Sequence, residues 1–142
     1  MTTSAKAPLE HRTPRVGVGI IVRYRHKLLI GRRLKPPMPG SWQLPGGWVL
    51  FGETPEQAVT RHLSAFKGAE FSRYVFQTYT NNLFDKDMHS LTLYFMTECM
   101  NGDEIDLQVN SRCGDWHWAD WESLPQPLFL PLELLQQTSF HP

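Results

Sequence analysis

Three observations predict an α+β fold. Runs rich in β-branched and aromatic residues recur along the chain. One amphipathic helix with a strong start signal lies among them, and a second, short helix is signalled near the C-terminus. The strands do not alternate with helices as a βαβ repeat requires. A mixed sheet sandwich with the central helix packed on the sheet is therefore expected.

The elements follow in order. Residues 1–14 read as a flexible arm and 15–142 as a single domain. Arg15–Tyr24 and Lys27–Arg32 are β-rich, and Arg25-His26 between them fit a tight hairpin turn, although neither is a strong turn former. Leu34–Gly40 holds three prolines and a glycine, so it is a loop. Ser41–Leu44 is a short strand ended by Pro45-Gly46-Gly47. Thr54, Pro55 and Gln57 make a capping box with proline at the first helical position. Val59, Leu63 and Phe66 then share one helical face, which predicts a helix over Pro55–Lys67 stopped by Gly68. Phe71–Thr80 and His89–Cys99 are strands around an Asn81–Met88 loop, and Asn101–Arg112 is a long polar loop. Asp115–Ala119 is a strand with Trp116 and Trp118 alternating, and Leu130–Gln137 is the second helix.

Composition narrows the function. The 142 residues include 41% apolar and 12% aromatic side chains, enough for one core, so disorder of the whole chain is excluded. Lysine plus arginine number 14 and aspartate plus glutamate 14, so no basic footprint exists for a nucleic-acid duplex or an anionic membrane. The apolar runs are too short to span a bilayer, and the polar Met1–Thr13 lacks a signal-peptide core. Cys99 and Cys113 are too few and too far apart for a zinc site or a disulfide framework. Two structural thiols in a reducing, cytoplasmic setting are expected.

The stretch Gly47–Ala69 carries the chemistry. Gly47 is followed by Glu53, Arg61 and Gly68 at spacings of six, eight and seven positions, behind a Trp42-x-Leu44-Pro45-Gly46-Gly47 approach. This skeleton resembles the Nudix box, G-x5-E-x7-R-E-U-x-E-E-x-G-U with U a bulky apolar residue, and the resemblance extends over about residues 15–135. It implies a Nudix fold and hydrolysis of a nucleoside diphosphate linked to another group. It also implies Mg²⁺ or Mn²⁺ held by carboxylates on one face of the box helix. Glu53 and Arg61 are expected to pair and pin the loop to the helix. Homodimers are common in the family.

The helix face departs from that pattern. The three box glutamates fall on His62, Ala65 and Phe66, none of them an oxygen ligand. Restoring glutamate at all three is expected to create Mg²⁺ binding. Arg32-Arg33, the proline-rich loop and Gly40–Gly47 also resemble the GDP-mannose mannosyl hydrolase branch, which lacks some box glutamates. That branch keeps one box glutamate as metal ligand and uses a histidine base before the last strand. Here Phe66 replaces the glutamate, and Ser111-Arg112-Cys113 contains no histidine. No metal ligand is therefore assigned.

The candidate catalytic residues are Glu53, Arg61 and His62. The candidate substrate-binding residues are Arg33, a bidentate reader of diphosphate, with Gly46, Gly47 and Trp48 at the turn. Asp103, Glu104 and Asp106 in the long loop are the carboxylates available from outside the helix. Trp42, Trp116 and Trp118 are expected in core or sheet positions. Two functions stand: a divergent hydrolase of nucleoside diphosphate-linked molecules such as nucleotide sugars, with weak or altered metal-dependent activity, or a catalytically inactive nucleotide-binding module.

Overall fold

The computed structural model describes residues 8–107 and 112–142. The strands are β1 (Arg15–Tyr24), β2 (Lys27–Arg33), β3 (Trp42–Gln43), β4 (Gly46–Trp48), β5 (Val75–Asp85), β6 (Met88–Glu98) and β7 (Cys113–Ala119). The helices are α1 (Pro55–Leu63) and α2 (Leu130–Gln136).

β1 and β2 form a hairpin paired only near its closed end, at Arg23↔Leu28 and Tyr24↔Lys27. Arg25 and His26 both take positive φ, 49° and 66°, as a type I′ turn demands even without glycine. Beyond that end the two strands part. β1 takes β4 antiparallel and β6 parallel, while β2 takes β3 and β7. β5 closes the far side against β6.

The splayed sheet is covered on both faces. Val18, Ile20 and Val22 of β1 pack with Ala58, Val59 and Leu63 of α1, whereas Ile21 packs with Leu132 and Leu135 of α2. Alternation along one strand thus feeds two cores. Val59 and Leu63 are buried, as the helical pattern predicts. Each such side chain contributes about 2 kcal/mol.

The helix starts where expected. Thr54 Oγ1 accepts from Gln57 N at 3.0 Å, and Gln57 Oε1 accepts from Thr54 N at 2.9 Å. It ends four residues earlier than predicted. Ala65 N and Phe66 N reach back only three residues, to the His62 and Leu63 carbonyls. This tightening drops Phe66 into the core, edge-on to Trp116 at 5.0 Å. Gly68, at φ 81°, then turns the chain.

Other boundaries shift too. β5 starts at Val75, four residues after the expected Phe71, which makes only an isolated bridge to Cys99, and β7 starts at Cys113 instead of Asp115. β5 runs to Asp85, because Asn82 is a buried strand residue and not part of a loop. Its side chain accepts from Thr80 Oγ1 and donates to Ser90 Oγ and Thr92 Oγ1, at 2.8–3.0 Å. The strand β4 was not expected after Pro45. Gly46 makes it possible, since a Cβ there would lie 2.0 Å from the Val18 carbonyl oxygen. Within the expected arm, Leu9–His11 form a 3-10 turn, and Arg12 donates to the Lys86 carbonyl. Residues 101–107 carry no strand or helix, and 108–111 of the expected long loop lie outside the described residues.

Candidate functional site

The β4–α1 connection is a tightly bonded unit. Glu53 accepts from Arg61 Nε at 2.8 Å, from Arg61 Nη2 at 2.9 Å and from Leu50 N at 2.9 Å. These donors, Arg61 first, hold the Glu53 carboxyl down to about 2. Arg61 Nη2 also donates to the Trp48 carbonyl at 2.8 Å. One fork therefore ties the loop to both its ends, as the spacing of glutamate and arginine predicts.

His62 faces the same carbonyl, its Nε2 lying 3.0 Å from Trp48 O. A carbonyl only accepts, so Nε2 carries the proton and Nδ1 is bare in the neutral ring. Burial pushes the His62 pKa down, partly opposed by that carbonyl. Gly47 lies against the ring, where a Cβ would come within 2.6 Å.

A cleft of about 1290 Å³ lies along β1, β4, the proline-rich loop, the β5–β6 hairpin tip and the start of α2. It exceeds the roughly 300–1,000 Å³ usual for small-molecule sites. Arg12, Arg15, Arg33, Lys35, Lys86 and Arg112 line it, against Asp85 and Asp87. This excess of cations attracts anions. Gly46, Gly47 and Trp48 also border it, as expected.

Arg33 does reach the cleft, but much of its guanidinium is committed. It donates to the Pro36 and Pro37 carbonyls at 3.0 and 2.8 Å and to Gln43 Oε1 at 2.5 Å, and it stacks 4.1 Å over Phe129. Arg32 turns elsewhere, to the Gly40 carbonyl. Arg15 lies 4.0 Å over the Trp48 ring. Sequence reasoning missed Arg15. Gly17 pairs with Trp48, which makes Arg15 a diagonal neighbour, but that register is invisible until β4 is recognised.

The helix end does not fit a divalent cation. His62 offers one imidazole, Ala65 offers none and is exposed, and Phe66 is buried in the core. Hard cations want oxygen ligands near an octahedral or larger shell. Asp103 lies elsewhere, accepting from Tyr24 Oη at 2.9 Å and pairing with Arg25 at 3.1 Å. Glu104 and Asp106 do not line the cleft. Among the described residues no three His, Cys, Asp or Glu side chains cluster closely enough to hold a metal.

The two thiols are buried and form no disulfide with each other, and burial raises both, Cys113 to about 11. No helix among the described residues is long and apolar enough to cross a membrane.

Comparison with known proteins agrees with this fold. An ADP-ribose pyrophosphatase of Methanocaldococcus jannaschii is 27% identical over 117 residues, 82% of this chain and 68% of that protein. An RNA pyrophosphohydrolase of Hydrogenovibrio crunogenus is 31% identical over 125 residues, 76% of this chain and 73% of its own length. The crystal structure of a MutT NUDIX hydrolase from Burkholderia pseudomallei superposes with a TM-score of 0.78. That pair shares 24% identity over 91% of this chain and 100% of the other. The NUDIX domain profile matches residues 13–137, which takes in the glycine turn, the Glu53–Arg61 fork and both helices. The chain belongs to the NUDIX domain family.

Proposed function

We propose that this chain is a divergent NUDIX hydrolase that binds a nucleoside diphosphate-linked small molecule in the large cleft and hydrolyses it slowly. One observation carries the reading. A cation-rich cleft of about 1290 Å³ meets a helix end whose candidate ligand positions are His62, Ala65 and Phe66. The relatives named for ADP-ribose and for RNA pyrophosphate chemistry support the substrate class. Nucleotide sugars belong to that class.

In this reading Glu53 and Arg61 hold the loop, and His62 fixes Trp48 and leaves Nδ1 bare as a neutral base at the end of α1. Gly46 and Gly47 let the ligand approach the backbone, and Trp48 lines its site. Arg15 presents its donors over Trp48, and Arg33 braces the proline-rich loop beneath the ligand. Tight Mg²⁺ or Mn²⁺ binding by the protein alone is not expected, because the box is degenerate.

The buried placement of Phe66 favours a second reading, a nucleotide-binding module without turnover. Calorimetric titration with ADP-ribose and a set of nucleotide sugars, with and without Mg²⁺, followed by product analysis, separates the two. Binding with slow product formation supports the hydrolase. Binding without product supports the module. No binding, or rapid turnover with stoichiometric Mg²⁺, overturns both.

We also propose a cytoplasmic homodimer. Two buried thiols without a disulfide between them suit a reducing compartment. The edge strand β5 exposes Phe76, Tyr79 and Leu83, which stand opposite Phe95, Leu93 and His89 and so share one face. A sedimentation mass equal to the monomer's at high concentration would rule the dimer out.

A further inference from the structure

Two guanidinium groups in the large cleft lie on aromatic rings, Arg33 4.1 Å over Phe129 and Arg15 4.0 Å over Trp48. Their polar atoms fare differently. Every nitrogen of Arg33 already donates: Nε to the Pro37 carbonyl, Nη1 to Gln43 Oε1 and Nη2 to the Pro36 carbonyl. The other cleft arginines are engaged as well. Arg12 donates to the Lys86 carbonyl and pairs with Asp87, and Arg112 has an interaction of its own. Arg15 makes no side-chain hydrogen bond or ion pair among the described residues. Trp48 steadies its guanidinium at the cleft wall and leaves the N–H fork open.

The neighbouring strand supplies a second donor. β1 and β6 run parallel, with Arg15 beside Ser90, Gly17 beside Thr92 and Gly19 beside Tyr94. Alternation puts these six residues on the face of the sheet that Ile21 and Tyr94 share with α2, and all six line the cleft. Ser90 is only 4% exposed, and its oxygen accepts from Asn82 Nδ2 at 3.0 Å. The polarity of that bond is settled by the neighbours. Asn82 directs its two N–H groups to Ser90 and Thr92 and receives Thr80 at Oδ1, whereas the reversed amide would strand one N–H in the interior. Ser90 therefore keeps its own O–H hydrogen, which has no acceptor among the described residues. Such a hydrogen rotates about the C–O bond to meet an acceptor that enters the cleft. The two carboxylates of the cleft are held at the β5–β6 tip, Asp85 by the Asp87 N–H and Asp87 by Arg12.

We infer that Arg15 and Ser90 form an oxyanion subsite in the cleft, which takes a phosphate of the nucleoside diphosphate-linked ligand on the guanidinium fork and the serine hydroxyl. The inference rests on the proposed function for the identity of the ligand. The diphosphate-reading role that the sequence gives to Arg33 passes to Arg15, because Arg33 is bonded through all three nitrogens to the proline-rich loop and Gln43. A guanidinium with an open fork meets two phosphate oxygens at once.

The test is calorimetric titration of the full chain with ADP-ribose and with inorganic pyrophosphate, each with and without Mg²⁺, followed by competition between the two. Both are expected to bind the wild type, and pyrophosphate is expected to displace ADP-ribose. Arg15→Gln should weaken both by roughly tenfold and leave the melting temperature in place. Arg15→Lys keeps the charge without the fork and should recover only part of the loss. Arg33→Gln should instead lower the melting temperature, since three acceptors lose their donors. Ser90→Ala should weaken pyrophosphate binding as well; should it fail to fold, the two Arg15 variants decide. ADP-ribose affinity unchanged by Arg15→Gln, or pyrophosphate that does not compete, overturns the subsite and leaves the proposed function standing. Pyrophosphate binding that depends on Arg15, without any binding of ADP-ribose or a nucleotide sugar, keeps the subsite and removes the proposed ligand. A wild type that binds none of these probes in either buffer removes both.

Discussion

The two halves of the Gly46–Phe66 unit obey different constraints. From Gly46 to Arg61 the polar groups close on one another. Glu53 collects three donors, the Trp48 carbonyl collects Arg61 and His62, and Thr54 and Gln57 cap the helix reciprocally. After Leu63 the chain leaves the helix, and the Phe66 side chain joins the core. The comparison teaches that the loop–helix scaffold and the ligand-bearing face are separable. The first half keeps its shape through bonds that need no carboxylate on the second.

Phe66 offers the harshest way to break that separation. Phe66→Ala should cost about 3 kcal/mol, and Phe66→Glu about 4 kcal/mol or more, since it also buries a charge beside Trp116. Urea denaturation measures both. The triple change His62→Glu, Ala65→Glu and Phe66→Glu, expected from the sequence to create Mg²⁺ binding, should therefore unfold before it builds a site. A stable triple variant that binds Mg²⁺ tightly would show that the second half can still be carried on α1.

Gly46→Ala attacks the first half. The added Cβ would meet the Val18 carbonyl oxygen at 2.0 Å, a backbone collision that side-chain rotation cannot relieve. A loss of roughly 3 kcal/mol is expected, also by denaturation. An unchanged midpoint would mean that β4 does not need this close approach.

A gentler probe is acid. Folded Glu53 keeps its charge to about 2 against an ordinary 4.5, so between those values the unfolded chain binds more protons. The pair's contribution is complete above pH 4.5 and is lost as pH falls toward 2. Arg61→Ala should melt lower near neutrality and show a flatter decline over that acid window. Parallel melting curves for variant and wild type would contradict this.

The smallest effect concerns His62, which burial holds below its ordinary 6.5. The unfolded chain then takes up a proton first as pH drops from 6.5, so stability rises with pH through the window just below that value. His62→Gln should lose this slope and keep a donor for the Trp48 carbonyl. Matching slopes in the two proteins would show that the ring is freer than its contacts imply.

Much of this was legible in the chain itself. The capping box, the buried positions 59 and 63 and the glutamate–arginine spacing each reflect local rules acting over a few residues. What stayed hidden depended on distant partners. Asn82 looks like a turn residue until Ser90 and Thr92 satisfy it inside the sheet. β4 looks like a glycine break until β1 lies beside it. The end of α1 depends on Trp116, fifty positions downstream of Phe66. In the same way Arg33 was legible as a cleft arginine, but its ties to Pro36, Pro37 and Gln43 were not.

The parallel pairing of β1 with β6 has a consequence for how the chain is made. Arg15 finds its partner Ser90 only after some 75 further residues. At synthesis rates of about 5–20 residues per second, β1 emerges from the ribosome many seconds before β6 exists to flank it. During that interval its apolar stretch, Val18–Val22, has the β2 hairpin, β4 and α1 for cover but lacks its parallel neighbour β6 and the second helix. A nascent chain arrested before residue 88 should accordingly bind chaperones, and one arrested past residue 98 with its exit-tunnel segment cleared should release them. Long-range pairing of this kind also slows refolding relative to a helical domain of equal size.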